Sequence, residues 1–220
     1  MRIRHRLAAM TVAVSLITGR RVALAALAVL VPTMTACAQR PVFQGQVLDP
    51  PRPALDFTLT DQFDHPVRLS GLRGKVVVLA FLFTACPDVC PVITGKIHRV
   101  TDLLGARRDR VAFLAVTVDP DRDTVPVLAE YSRRVAMLDR WQFLTGDEPR
   151  LAPIWTYYWV GQARIERPGS APGRVAYAVG HRSPIHLLDP AGQIRLIFDG
   201  DFRPADMAHD IEALLTASSP

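Results

Sequence analysis

Apolar residues fall along this chain in runs and periods that mark out its elements. Two stretches are continuously apolar, Lys75 to Phe83 (KVVVLAFLF) and Val111 to Val118 (VAFLAVTV). Runs of that length, rich in Val and Phe, suit strands buried on both faces of a sheet. Between them Val92, Ile93, Ile97, Val100, Leu103 and Leu104 recur at helical spacing. After the second run, Thr124 is placed to cap a helix with Pro126 in its first turn. Val127, Leu128, Tyr131, Val135 and Leu138 would line that helix's inner face. Short alternations at Phe57–Leu59 and Val67–Leu69, around a turn-like Asp61–Pro66, predict a hairpin before the first long strand. Downstream, Phe143-Leu144 reads as a short strand, Pro149–Trp159 as a helix and 168–174 as a loop. Val175–Val179, Ile185–Leu188 and Ile194–Phe198 read as strands, the last two joined by the turn Asp189-Pro190-Ala191-Gly192. Pro204 opens a final helix with Met207, Ile211, Leu214 and Leu215 inward. Strand and helix alternate through most of this pattern, so the fold class is α/β.

Length and composition (220 residues, 49% apolar, 21% charged) fit one sizeable domain and exclude a disordered chain or a disulfide-dense mini-protein. The net charge of +5 would suggest a nucleic-acid partner if it were spread over the surface. It is not: five of the 26 basic residues, and no acidic one, lie in residues 1–37, which leaves 21 basic against 21 acidic. No nucleic-acid partner is therefore expected. The basic N-terminus reads instead as an export signal, with Arg20-Arg21 before an apolar run from Val22 to Val31 and small residues ahead of Cys37. That run is short for a transmembrane helix.

Residues 1–36 are thus expected to direct export. Met34-Thr35-Ala36-Cys37 is similar to a lipobox, which would make Cys37 a lipid anchor. A plain cleaved signal and an uncleaved N-terminal anchor are the alternatives, and an earlier apolar run from Leu7 to Ile17 leaves the export route open. All three place the main domain outside the cytoplasm, on the periplasmic face or its equivalent. Residues 37–53, with Pro41, Pro50, Pro51 and Pro53, read as a Pro-rich tether to a domain over 54–220.

Candidate chemistry sits where the first long strand meets its helix, in Thr84-Ala85-Cys86-Pro87-Asp88-Val89-Cys90-Pro91. Four-residue spacing would bring both sulfurs to one side of a helical turn, within disulfide range. A helix N-terminus there would stabilise thiolate. The pair suits redox cycling between dithiol and disulfide, or a soft metal such as Cu(I). A static structural disulfide is the plain alternative. A metal would need a further ligand, and the six histidines are the candidates. His5 leaves with the leader, His65 lies in a turn, His98 and His209 lie on outer helix positions, and His186 is inside a strand. His181 differs, in a loop (Gly180-His181-Arg182-Ser183-Pro184) that a thioredoxin-like sheet would bring towards the cysteines, although a surface histidine also fits there.

Three segments, FLFTACPDVCP (81–91), VTVDPDRDT (116–124) and GHRSPIHLLDPAGQI (180–194), resemble in order the Sco/SenC family of cytochrome c oxidase assembly proteins. The lead-in DFTLTDQFDHPVRLSGLRGKVVVLAF (56–81) is similar to that family's N-terminal hairpin and first strand, and the likeness covers about 55–217. The resemblance implies a thioredoxin-like fold with an N-terminal β-hairpin extension and one copper per chain, as Cu(I) or Cu(II). It implies Cys86 and Cys90 as thiolate ligands and His181 as the imidazole ligand. It further implies copper delivery to, or thiol reduction of, the copper A site of cytochrome c oxidase subunit II, with a separate copper donor or thiol reductant. Asp119 and Asp123 match an acidic loop that would shape the site or a partner surface, unless they only cap and turn. The chain departs from the family pattern at Ala85, where His or Asn is common nearby, at Gly180, where Asp usually precedes the ligand histidine, and at Pro184.

Two functions of different class follow. One is a metallochaperone. The other is a thiol–disulfide oxidoreductase, an enzyme in which Cys86 attacks and Cys90 resolves without copper. A thiol peroxidase lacks its Thr–Arg constellation around a single cysteine here, and a protein-binding domain with an inert disulfide uses none of these features.

Overall fold

The computed structural model of the chain describes residues 41–166, 177–181 and 184–217, with backbone only for 162–166 and 177–181. In chain order its strands are β1 (Gln46–Pro53), β2 (Thr58–Thr60), β3 (Pro66–Arg68), β4 (Val76–Leu82), β5 (Val111–Thr117), β6 (Gln142–Leu144), β7 (Gln162–Glu166), β8 (Tyr177–His181), β9 (Ile185–Leu188) and β10 (Gln193–Phe198). The helices are α1 (Val89–Leu104), α2 (Val125–Arg134), α3 (Glu148–Tyr157) and α4 (Pro204–Ala217). The expected leader over 1–36 and Cys37 lie outside the described residues, as does the loop expected at 168–174.

The two apolar runs are the centre of the sheet. Six strands pair in the order β1-β10-β9-β4-β5-β6, with β4 and β5 parallel from Val76↔Val111 to Leu82↔Thr117. Every residue of β4 is buried, and each such Val, Leu or Phe side chain contributes about 1.5–3 kcal/mol by leaving water. Helices α1 and α4 pack against one another beside this sheet, presenting Ile93, Ile97, Val100 and Leu104 from one and Met207, Ile211, Leu214 and Leu215 from the other to the common core. The hairpin β2–β3 precedes β4 as expected, and a bridge between Thr60 and Thr145 joins it to the end of β6.

Several expectations are corrected. The later half of the tether segment is strand β1, paired antiparallel with β10 at the sheet edge. Prolines are tolerated there because an edge strand leaves one row of N–H groups unused. Val92 and Leu103 on α1, and Val127 on α2, are exposed rather than inward, while Cys90 and Ser132 take buried places. Thr124 is the N-cap of α2, but its hydroxyl makes no capping bond. Of the aromatics near the end of α3, Trp155 and Tyr158 are core and Trp159 is 45% exposed.

Strand directions decide where the site lies. Because β9 runs antiparallel to β4 with Leu79↔His186 and Val77↔Leu188, the entry to β9 lies towards the C-terminal end of β4. The cysteine loop leaves β4 at that same end. Pro184, just ahead of β9, therefore lies at the cysteine end of the sheet.

Candidate metal centre

Beyond β4 the chain passes Phe83 and turns through Thr84–Asp88 before α1 begins at Val89. The Cys86 N–H donates to the Phe83 carbonyl at 3.4 Å. Cys90 is the second residue of the helix and Cys86 lies in the loop before it, so the two do not share a helical turn as their spacing suggested. Pro87, Asp88 and Pro91 defer the helix start. The loop nevertheless folds back, bringing the Cys86 sulfur within hydrogen-bond reach of Cys90. Cys86 is half-buried, Cys90 is fully buried, and no disulfide joins them.

The expected acidification is also corrected for Cys90. Burial pushes its thiol well above the ordinary cysteine range, and the nearby Cys86 and Asp123 add to that, against one backbone N–H from Phe83. Desolvation outweighs the helix dipole at this position. The resulting pair has one accessible sulfur and one sheltered one.

Asp123 holds the loop in place. It is fully buried and accepts the Thr84 hydroxyl at 2.5 Å, the Thr84 N–H at 3.2 and 3.3 Å, and the Thr117 hydroxyl at 2.6 Å. Thr117 ends β5 and itself accepts the Asp119 N–H at 2.9 Å. Burial raises the Asp123 carboxyl above its ordinary range despite these donors. Asp119, also buried, pairs with Arg122. Asp123 therefore ties the β5–α2 loop to the cysteine loop, while Asp119 holds the turn within its own loop, and the Asp123 carboxylate is spent on that tie rather than on capping α2. Asp123→Ala leaves three donors without their acceptor and is expected to cost about 2 kcal/mol of stability. Urea unfolding of the reduced protein measures this; an unchanged midpoint would mean that water replaces the carboxylate fully.

His181 is the last residue of β8, not a loop residue ahead of a strand. It stands there because β7, which the sequence pattern did not reveal, pairs with β8 through Gln162↔His181 and Ala163↔Gly180. The His181 side chain lies outside what the structure describes; its backbone stands three residues ahead of Pro184, on the approach to β9. Among the described side chains no three His, Cys, Asp or Glu residues come together as a metal cluster. The remaining described histidines are placed as expected. His65 is exposed in a turn, His98 pairs with Asp102 at 3.4 Å, His209 meets the Val42 carbonyl at 3.2 Å, and His186 is fully buried. Beside the cysteine loop a groove of about 350 Å3 is lined by Thr84, Ala85, Pro126, Val127, Tyr131 and Arg134. Exposed Val89 and Val92, on either side of Cys90 in the sequence of α1, add apolar surface. No helix among the described residues is long and apolar enough to cross a membrane.

A family profile described as SCO1/SenC matches residues 47–216. The SCO1 protein homologue of Bacillus subtilis is 31% identical over 148 residues, covering 66% of this chain and 72% of the relative. Among solved structures, copper-bound ScoI of Bradyrhizobium japonicum is 29% identical with a TM-score of 0.66, covering 74% of this chain and 99% of that one. Apo Sco1 of Thermus thermophilus is 30% identical with a TM-score of 0.68, covering 79% and 98%.

Proposed function

The chain belongs to the SCO1/SenC family, and on that premise we propose that it is an exported copper metallochaperone for assembly of cytochrome c oxidase. In this reading one copper is the cargo, held by the thiolates of Cys86 and Cys90 and the imidazole of His181. Two thiolates select Cu(I), and the imidazole lets the same site accept Cu(II). Copper uptake displaces the two thiol protons, so affinity should climb with pH. Delivery is ligand exchange: thiolates of the acceptor attack the metal one after the other, the bonds to His181, Cys86 and Cys90 break in turn, and copper leaves with no change in oxidation state. The acceptor is the copper A site of subunit II, approached over the groove and valines that flank the cysteines. The leader is read as holding the domain at the membrane, through lipid on Cys37 or an uncleaved segment, with the domain on the periplasmic face or its equivalent.

The observation that supports this reading is the pair of adjacent thiols at a loop clamped by Asp123 beyond the C-terminal end of β4, the end of the sheet at which β9 begins, with His181 ending the strand that precedes β9. Copper bound to the Bradyrhizobium relative supports the cargo. Anaerobic competition titration of the reduced chain is expected to give one Cu(I) per chain. His181→Ala should weaken that binding at least about 10–100-fold, the loss that even an outer partner of a metal ligand costs. Unchanged affinity in that variant would remove His181 from the site.

The half-buried Cys86 over a sheltered Cys90 also suits a second reading, reduction of the acceptor's cysteines. Cys86 thiolate would attack the target disulfide, expelling one target thiolate, and Cys90 would then displace the second. The target gains two electrons as Cys86 and Cys90 become a disulfide. That activity should survive His181→Ala.

A further inference from the structure

The β7–β8 hairpin is a two-stranded sheet of its own, separate from the six-stranded ladder. Its two roots are the end of α3, from which the chain enters it, and β9, into which the chain leaves it. One described side chain reaches across both. His186, the second residue of β9 and five residues beyond His181, is fully buried, and its Nε2 lies 3.0 Å from the carbonyl oxygen of Tyr158. Tyr158 stands four residues before Gln162, whose backbone pairs with that of His181.

The chemistry of this bond is settled by its acceptor. A carbonyl only accepts, so Nε2 carries the proton and donates. Tyr158 is the C-cap of α3, where helix carbonyls lack partners within the helix. The helix ends in a Schellman turn, with Val160 N–H on the Trp155 carbonyl at 2.9 Å and Trp159 N–H on that of Thr156 at 3.3 Å. Trp159 takes the left-handed conformation this turn needs, at φ 55°, which a bulky residue adopts only when its surroundings hold it. Its ring packs on the imidazole at 6.1 Å and lies under the Arg52 guanidinium from β1 at 5.0 Å. Phe81 of β4 and Tyr158 complete the cage at 6.1 and 5.1 Å. The imidazole is thus locked by rings from two elements and makes one hydrogen bond; Nδ1 has no partner among the described residues.

We propose that His186 is the positioning residue of the metal hairpin: its bond to the Tyr158 carbonyl ties the two roots of β7–β8 together and fixes where His181 stands relative to Cys86 and Cys90. The proposal rests on the reading of His181 as a copper ligand. It adds a residue that touches neither copper nor the cysteines.

Three substitutions separate the bond from the packing. His186→Phe keeps the ring and deletes the donor, His186→Gln carries an amide donor out to the place of Nε2, and His186→Asn stops short of it. In the reduced full chain, the Phe and Asn variants should lose about tenfold in Cu(I) affinity while Gln stays within about twofold of the parent. In a His181→Ala parent the Phe substitution should change affinity no further. Amide exchange of β7 and β8 in the metal-free chain should rise about tenfold for Phe and Asn, with β4 and β5 unchanged. If Phe, Gln and Asn bind copper alike, or Phe weakens binding equally without His181, the proposal is wrong. Should the Phe variant not fold, Gln against Asn makes the same comparison. If His181→Ala itself leaves affinity unchanged, the copper-site reading fails, and hairpin exchange decides separately whether His186 holds the hairpin.

Discussion

Changing Cys86 to serine and Cys90 to alanine in one chain is expected to abolish tight Cu(I) binding, a loss of at least about a thousandfold, or roughly 4 kcal/mol. The choice of replacements follows from burial. Cys86 is half-buried and tolerates a hydroxyl, whereas Cys90 is fully buried among the core residues. Serine at 90 would bury a polar group where the thiol packs as a small hydrophobe, and alanine avoids that cost. What remains, one imidazole, offers a soft cation too little. Thermal unfolding of the metal-free variant should stay near the parent's, because neither cysteine is joined by a disulfide in the structure. The single variants divide the two functional readings. Cys90→Ala, given a target disulfide, should accumulate a mixed disulfide at Cys86 if the pair reduces disulfides, and Cys86→Ser should accumulate none. Copper titration that finds tight binding in the double variant would place the metal elsewhere in the chain and end the chaperone reading of this site.

Much of the fold was legible because it is written in local pattern. Val76–Leu82 and Val111–Thr117 are unbroken apolar runs, and such runs have few homes other than the middle of a sheet. What stayed hidden depends on partners distant in sequence. Gln162–Glu166 (QARIE) has no clear alternation and becomes a strand only by pairing with 177–181 across an intervening segment. The prolines of 46–53 read as a tether because sequence does not reveal that β10 offers an edge. The two cysteines, and His181 as a candidate ligand, could be singled out from residue type and position. Their geometry could not, because a spacing of four does not distinguish a helical turn from a loop that folds back. The Asp123 clamp joins residues 39 and 6 positions apart, Thr84 and Thr117. The one signal for it was polar residues standing where the apolar runs stop. His186 read correctly as a residue inside a strand, but its acceptor, a main-chain carbonyl 28 positions away, leaves no mark in side-chain pattern.

The buried imidazole carries the last and largest stability prediction, a loss of about 3 kcal/mol between pH 6.5 and 4. Burial pushes His186 down to about 4 from an ordinary 6.5, with the Arg52 guanidinium working in the same direction and the Tyr158 carbonyl against it. Above pH 6.5 the ring is neutral whether the chain is folded or not, and its full contribution to stability is present. As pH falls through that window the unfolded chain binds a proton that the folded chain refuses, so each unit costs about 1.4 kcal/mol. Below pH 4 both states are protonated and the slope ends. The cage explains the refusal: a cation there would need a second acceptor at Nδ1, which has none among the described residues, inside aromatic walls. Asp123 and Asp210, whose carboxyls burial raises, work in the opposite sense, since the folded state holds their protons more readily. Subtracting the His186→Phe variant from the parent cancels their share. Urea unfolding of both proteins, reduced and metal-free, at pH 7, 5.5 and 4.5 should therefore give a stability difference that shrinks with acid by about 2–3 kcal/mol. Parallel stability curves would show that His186 takes its proton in the folded chain as readily as in the unfolded one.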